Sequence, residues 1–318
     1  MEHTNSGENM GLIRNKRGIF FTTLTLVIIS LLFVTYSLYS QVEERKAIEK
    51  RVSSMNSLLF SLEKDMSRQV FITSYRIIFL LEGKIISSGS YISNLNATFN
   101  ESFFNGSING VAQDILIGST FADILNSVNQ EALKVNANIS LFNPRVEITQ
   151  VDPWNVKVTL TSNLVMQDSA GLASWNKTSE IFSLIPIQNF EDPLYFINTN
   201  GLVINNITKS PFTVFATGSD VSNLSNHSLN GYYIASTSAP SFLDRLQGIN
   251  SANPQGIESL VNLNRLSQQG VSLQDKSLVD YIYFSSNNPV ASHIQGMPSW
   301  FKLDSAHLGT YNVTGLVG

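Results

Sequence analysis

The sequence predicts an α+β protein in which a single N-terminal transmembrane helix continues into a helical stalk and carries a mixed domain with a mainly antiparallel sheet. Three observations lead there. From Ile19 to Ser40 there are 22 consecutive uncharged residues, IFFTTLTLVIISLLFVTYSLYS; directly after them apolar residues recur every three to four positions; and in the middle of the chain the apolar period changes to two.

The 22-residue run reaches about 33 Å as a helix, enough to span a bilayer. It lacks the short apolar core and small-residue exit of a cleaved secretory signal and ends in Tyr36, Leu38 and Tyr39, so it reads as a retained signal anchor. Basic residues flank both ends: Arg14, Lys16 and Arg17 before, Arg45, Lys46, Lys50 and Arg51 after. The nearest charges set the orientation, because Arg17 lies two residues from the span whereas Glu43 and Glu44 come first beyond it. The expected organisation is a cytoplasmic tail over 1–18, the transmembrane helix over 19–40, a helical stalk over 41–82 and an extracytoplasmic domain over 83–318.

In the stalk Ile48, Val52, Met55, Leu59, Leu62 and Met66 form one helical seam, which fails at Gln69 and Thr73. Docking against its own domain and self-association are both open to so short a seam. The run Ile77 to Leu81 is apolar almost all round, which places the top of the helix inside the domain. Gly83 and the Ser-, Asn- and Gly-rich stretch Ser87–Gly110 read as a break and a loop. A helix is expected near 119–135, with Ser119 and Thr120 as start signal and Phe121, Ile124, Leu125, Val128 and Leu133 on one face. Val156, Val158, Leu160, Leu164 and Met166 then alternate with polar residues, paired through the turn Asp152-Pro153-Trp154-Asn155 to a strand holding Val146 and Ile148. Further strands are expected at Ile181–Ile187, Leu202–Ile207, Gly231–Ser236, Val279–Phe284 and Trp300–Leu303, and a short helix opening at Pro240.

Composition narrows the function classes. Only 14% of residues are charged, and with no cysteine there is no disulfide, thiolate metal site or Cys nucleophile. Residues 85–318 carry 9 Lys/Arg against 16 Asp/Glu with no basic run, which argues against a nucleic-acid partner and against docking on anionic lipid. Nine Asn-x-Ser/Thr sequons, at Asn96, Asn100, Asn105, Asn138, Asn176, Asn206, Asn223, Asn226 and Asn312, all follow the span and are candidate glycosylation sites. Abundant sequons without cysteine point to a prokaryotic surface protein.

Catalytic signatures are absent: there is no GxSxG, HExxH, GxGxxG, Walker loop or EF-hand pattern. The two SxxK spacings, Ser61–Lys64 and Ser174–Lys177, lack the companion motifs of a penicillin-binding enzyme. Of the four histidines, His3 precedes the span. Asp304 and His307, three apart, could form part of a general base, but a cap or structural hydrogen bond is the better reading. Glu191 and Asp192 before Pro193 read as a solvated turn in preference to a carboxylate site for a cation. Trp154, Trp175, Trp300, Tyr232 and Tyr233 suit either a binding surface or, preferably, a core. No catalytic residue, cofactor or metal ligand is assigned.

Lys16-Arg17-Gly18 followed directly by the apolar helix resembles the class III signal of type IV pilin-like proteins. That resemblance implies cleavage after Gly18, a mature N-terminus at Ile19 and packing of the exposed helix into a filament; Thr23 stands where many pilins carry Glu. Phe190–Tyr195, Gly256–Ser259 and Val279–Phe284 resemble segments of uncharacterised archaeal membrane-anchored surface proteins, which implies location and no mechanism. The expected function is therefore a non-enzymatic cell-surface protein with an adhesive or pilin-like envelope role, whose partners are the lipid bilayer and, through helix and stalk, copies of itself. A ligand-binding sensor ectodomain is the alternative, and a surface hydrolase the third.

Overall fold

The computed structural model describes residues 16–318; expectations for the tail before Lys16, His3 included, lie outside the described residues. Helix α1 (Lys16–Ser88) is unbroken over 73 residues, about 110 Å at 1.5 Å per residue. It contains no proline, and glycine only at 18 and 83. Hydroxyls within its apolar part are satisfied internally: Thr23, Thr25, Ser30 and Thr35 each donate to the carbonyl four residues back at 2.8 Å. This part is long and apolar enough to cross a membrane, and every side chain from Gly18 to Lys50 is exposed.

The helix changes character at Met55. Met55, Leu59, Leu62, Met66, Val70, Ile77, Ile78, Leu81 and Ile85 are buried against the domain, whereas Ile48 and Val52 of the same seam stay exposed below it. The seam does not fail at Gln69 and Thr73. Beyond Met66 it steps to Val70, then to Ser74 and Ile77, a spacing closer to 3.6 that keeps one side of a straight helix on the sheet. Thr73 is buried too, its hydroxyl donating to the Ser119 carbonyl at 2.6 Å. The top of the helix is not enclosed all round, since Phe79 is 54% exposed.

The stretch expected as a loop holds helix α2 (Leu95–Asn105). Leu95, Phe99 and Phe103, four apart, bury one face; Asn94 caps the start by accepting from the Ala97 amide, and Gly106 ends it with φ +65°. A tight hairpin follows, β1 (Ser107–Ile108) and β2 (Val111–Ala112), turning on Asn109 and Gly110, both at positive φ. Helix α3 (Phe121–Leu133) begins at Thr120, whose capping box with Asp123 is complete. Ile124, Val128 and Ala132 face the core; Leu133, expected there, is exposed.

Strands β3 (Ala137–Asp152), β4 (Asn155–Asp168) and β5 (Ser174–Pro186) form an antiparallel meander. Val156, Val158, Leu160, Ser162, Leu164 and Met166 of β4 point inward, while Lys157, Thr159, Thr161 and Asn163 point outward. α1 covers the apolar face; the hydroxyls of Ser67 and Ser183 reach across between α1 and β5, at 2.7 Å to the Phe182 carbonyl and 2.5 Å to the Ser67 carbonyl. Arg51 ties the lower end of α1 to Asp168 at the end of β4, and Glu63 pairs with Lys177 of β5.

From Ile187 onward the chain builds a lobe of short elements: α4 (Pro193–Asn198), α5 (Ser222–Asn230), β6 (Tyr233–Ala235), α6 (Phe242–Gln247), β7 (Ile257–Ser259), α7 (Leu263–Gln268), α8 (Asp280–Tyr283), β8 (Ala291–His293) and β9 (Lys302–Asp304). Two expected strands are corrected. Leu202–Ile207 makes only an isolated bridge between Asn206 and Glu191, and Val279–Phe284 is helical after Val279, which bridges Leu260. One hydrophobic core runs from Met55 to Val313 and joins lobe, sheet and helix.

Candidate functional site

Arg245 stands at the centre of the C-terminal lobe. Ser241 and Asp244 cap α6 reciprocally and Gly248 closes it, which fixes the fourth residue of the helix, Arg245, pointing inward. Its guanidinium lies 2.5 Å from Asp192 and 3.0 Å from Asp280, with all three side chains fully buried, and it also donates to the Ile257 carbonyl. Tyr233 donates to Asp192 at 2.8 Å and is held by Asn205. The Ser259 hydroxyl and amide donate to Asp280 at 2.8 and 3.1 Å, and the Tyr195 hydroxyl lies 2.9 Å from that of Ser259. Burial holds the phenols of Tyr195 and Tyr233 well above their ordinary pKa, so both remain neutral donors.

Asp192 is thus not part of a solvated turn. It caps α4, with Pro193 at the first helical position, and this carries its carboxylate into the core. The three segments singled out in the sequence, Phe190–Tyr195, Gly256–Ser259 and Val279–Phe284, converge here through Asp192, Ser259 and Asp280.

A second buried network adjoins the first. His307 Nδ1 lies 2.8 and 2.9 Å from the two carboxylate oxygens of Asp304, so the expected Asp304–His307 pair forms. On its other side Nε2 lies 3.1 Å from the Tyr281 hydroxyl and 3.4 Å from Glu258. Burial alone would lower the imidazole pKa, but the hydrogen bonds and charges of Asp304 and Glu258 outweigh it and push it up to about 10. His307 is therefore a fixed cation at neutral pH. His227, stacked edge-on against Phe215 with Nδ1 3.1 Å from the Ser210 hydroxyl, has the opposite fate: burial lowers its pKa to about 3. One histidine is too basic and the other too weakly basic to exchange a proton near pH 7. His293 lies 3.2 Å from the Met297 carbonyl.

Where the top of α1 meets α4, Glu82 is 5% exposed, and its pKa is raised to about 9 by burial first and by the charge of Glu191 second. Neither Glu82 nor Arg245 is assigned from the sequence. Each leaves only a weak trace, a charge in a mostly apolar stretch that it shares with a second charge: Glu82 with Lys84 between Ile77 and Ile86, and Arg245 with Asp244 between Phe242 and Leu246.

Two open clefts flank α1. One of about 410 Å³ lies between Leu80, Gly83 and Lys84 of the helix and Ile108, Val111 and Gln113; another of about 270 Å³ lies between Gln69 and Ile72 and the start of α3. Among the described residues no group of three or more His, Asp or Glu side chains is arranged to hold a metal ion. Tyr233 is a core residue, and Trp154, Trp175 and Trp300 pack partly buried against the core. Of the sequon asparagines, Asn96, Asn105, Asn138, Asn176, Asn206, Asn223, Asn226 and Asn312 are exposed and Asn100 is half-buried. Asn100 and Asn223 donate their side-chain amides to the Val146 and Val214 carbonyls, and Asn312 accepts from the Phe215 amide. Gly18 and Ile19 lie in the first turn of α1, both exposed. No family model, no curated protein and no solved structure matches the chain.

Proposed function

We propose that this chain is a single-pass, membrane-anchored surface protein whose ectodomain acts by contact, in adhesion or as a pilin-like element of the envelope, and not by catalysis. The observation that carries this reading is the division of one unbroken helix: its apolar part is exposed on all sides, and its upper part is the spine of an α+β domain. An apolar helix exposed all round is stable in lipid and costly in water. A non-catalytic role is supported by the state of the buried histidines, a permanent imidazolium at His307 and a nearly non-basic ring at His227.

The pilin-like form of the proposal rests on Gly18 and Ile19 as processing site. N-terminal mass spectrometry of protein from its native host tests it: a mature chain starting at Ile19 supports a filament-forming role, whereas retention of residues 1–18 leaves a plain surface anchor. A sensor role draws on the 410 Å³ cleft, whose walls come from α1 itself, so that an occupant would touch the membrane-connected helix. Small-molecule screening by thermal shift against the Lys84→Ala variant separates that reading from the first.

A further inference from the structure

Where α1 passes α4, Glu82 and Ile85 of the helix face Glu191, Asp192 and Pro193 across a crevice with room for one water. Glu82 is more than nine-tenths buried, and Oε1 of Glu82 and Oε2 of Glu191 are both buried with no hydrogen-bond partner. Two carboxylates cannot satisfy each other, because each offers only acceptors. The neighbouring cations do not serve them either. Arg245 is taken up by Asp192 and Asp280, and Lys84 lies in the separate cleft beside Ile108. A single proton removes the deficit. On Glu82 it turns an orphaned acceptor into an O–H donor, and the free oxygen of Glu191 is the acceptor in the same space, reached directly or through the one water that fits.

The surroundings decide which group keeps the proton. Burial weighs most on Glu82 and the charge of Glu191 adds to it; the Glu191 amide, which favours the ionised form, is outweighed, and the charge of Asp192 raises the pKa further, to about 9. We propose that Glu82 and Glu191 form a proton-dependent clasp, in which one proton held between the two carboxyl groups joins the upper end of α1 to the start of α4, and whose loss in alkali unlatches the lobe from the helix. On alkalinisation the proton passes to solvent hydroxide and leaves two charges on one water-sized space, so the contact turns from bonded to repulsive. Because the native pKa is raised, the stabilisation is complete below the ordinary value of 4.5 and is lost as pH rises towards about 9. The clasp works in the same way whether or not the apolar part of α1 sits in lipid.

The test uses the full chain in detergent micelles and follows thermal unfolding from pH 5 to pH 10. Glu82→Gln keeps a donor, the side-chain amide, and has nothing to titrate. Its Tm should therefore exceed that of the native protein by a margin that widens with pH, reaches ~5 °C near pH 9 and then holds. Glu191→Gln, at a half-buried position, removes the repelling charge and should shift the native pH transition to lower pH without abolishing it, since Glu82 stays buried; this variant remains informative if Glu82→Gln does not fold. Hydrogen exchange, corrected for the intrinsic effect of pH, should show α4 losing protection between pH 7 and pH 10 in the native protein and keeping it in Glu82→Gln. A difference in Tm between Glu82→Gln and the native protein that is the same at every pH overturns the proposal. A transition that Glu191→Gln leaves in place, or an α4 equally protected in native protein and Glu82→Gln at pH 10, overturns it as well.

Discussion

Arg245 is a buried cation shared by two buried carboxylates, so its removal strands two charges at once. Breaking a buried pair by deleting one partner typically costs ~3–5 kcal/mol, far more than the pair adds relative to an apolar replacement of all its members. Arg245→Met is therefore expected to destabilise by that amount, as read by denaturant unfolding. The two buried histidines set opposite pH limits. His307, whose native pKa is raised, contributes stability that is complete below its ordinary value of 6.5 and lost as pH rises towards about 10. His227, held neutral, costs stability as pH falls from 6.5 towards about 3, because only the unfolded chain takes up the proton there. His307→Gln should thus flatten the decline on the alkaline side, and His227→Phe should flatten the decline between pH 6.5 and about 3 while leaving the alkaline side unchanged. Gly256 is constrained by space and not by φ: a Cβ there would sit 2.0 Å from the Ala239 carbonyl oxygen. Gly256→Ala should force β6 and β7 apart and cost ~1–3 kcal/mol by chemical denaturation.

At the scale of elements, the burial change along α1 predicts a step in mutational sensitivity. Leu62→Ala opens a cavity against the sheet and should cost ~2–5 kcal/mol, whereas Val52→Ala, on the same seam but exposed below the domain, should lie within ~0.5 kcal/mol of the native protein. The elements legible in the sequence are those with long periodicity of their own. In α1 regular spacing places Met55, Leu59, Leu62 and Met66 but not Val70, Ser74 or Glu82 beyond them; in β4 it places Val156, Val158, Leu160, Leu164 and Met166, and α3 is announced by Ser119 and Thr120. Helix α2 escaped because Asn and Ser dominate its surroundings, although its code is present in Asn94, Leu95, Phe99, Phe103 and Gly106. Val279–Phe284 misleads for the opposite reason: its β-branched and aromatic residues favour a strand, but Asp280 is drawn to Arg245 and Ser259, and that tertiary demand winds the backbone into α8. The lobe around Arg245 is legible only in part, since its short elements are fixed by polar contacts between segments far apart in the chain and not by local pattern.

At the scale of the molecule, the proposed span over 19–40 leaves residues 41–50, about 15 Å of bare helix, below Arg51, the first residue tied to the domain, through Asp168. Protease added to intact cells should therefore cut between Gln41 and Lys50 and release a folded fragment; digestion that spares this region and removes the N-terminal tail would reverse the orientation. The unbroken α1 also defines how the protein bears load. Under the proposed anchoring, a pull on the domain acts along the helix axis, and the contacts from Met55 to Ile85 resist it in shear, all strained together instead of opening one after another. With no proline or internal turn to yield between the apolar segment and the sheet, a tether of this kind cannot lengthen under tension, and what gives way first is either the helix's grip on the sheet or the hold of the proposed anchor.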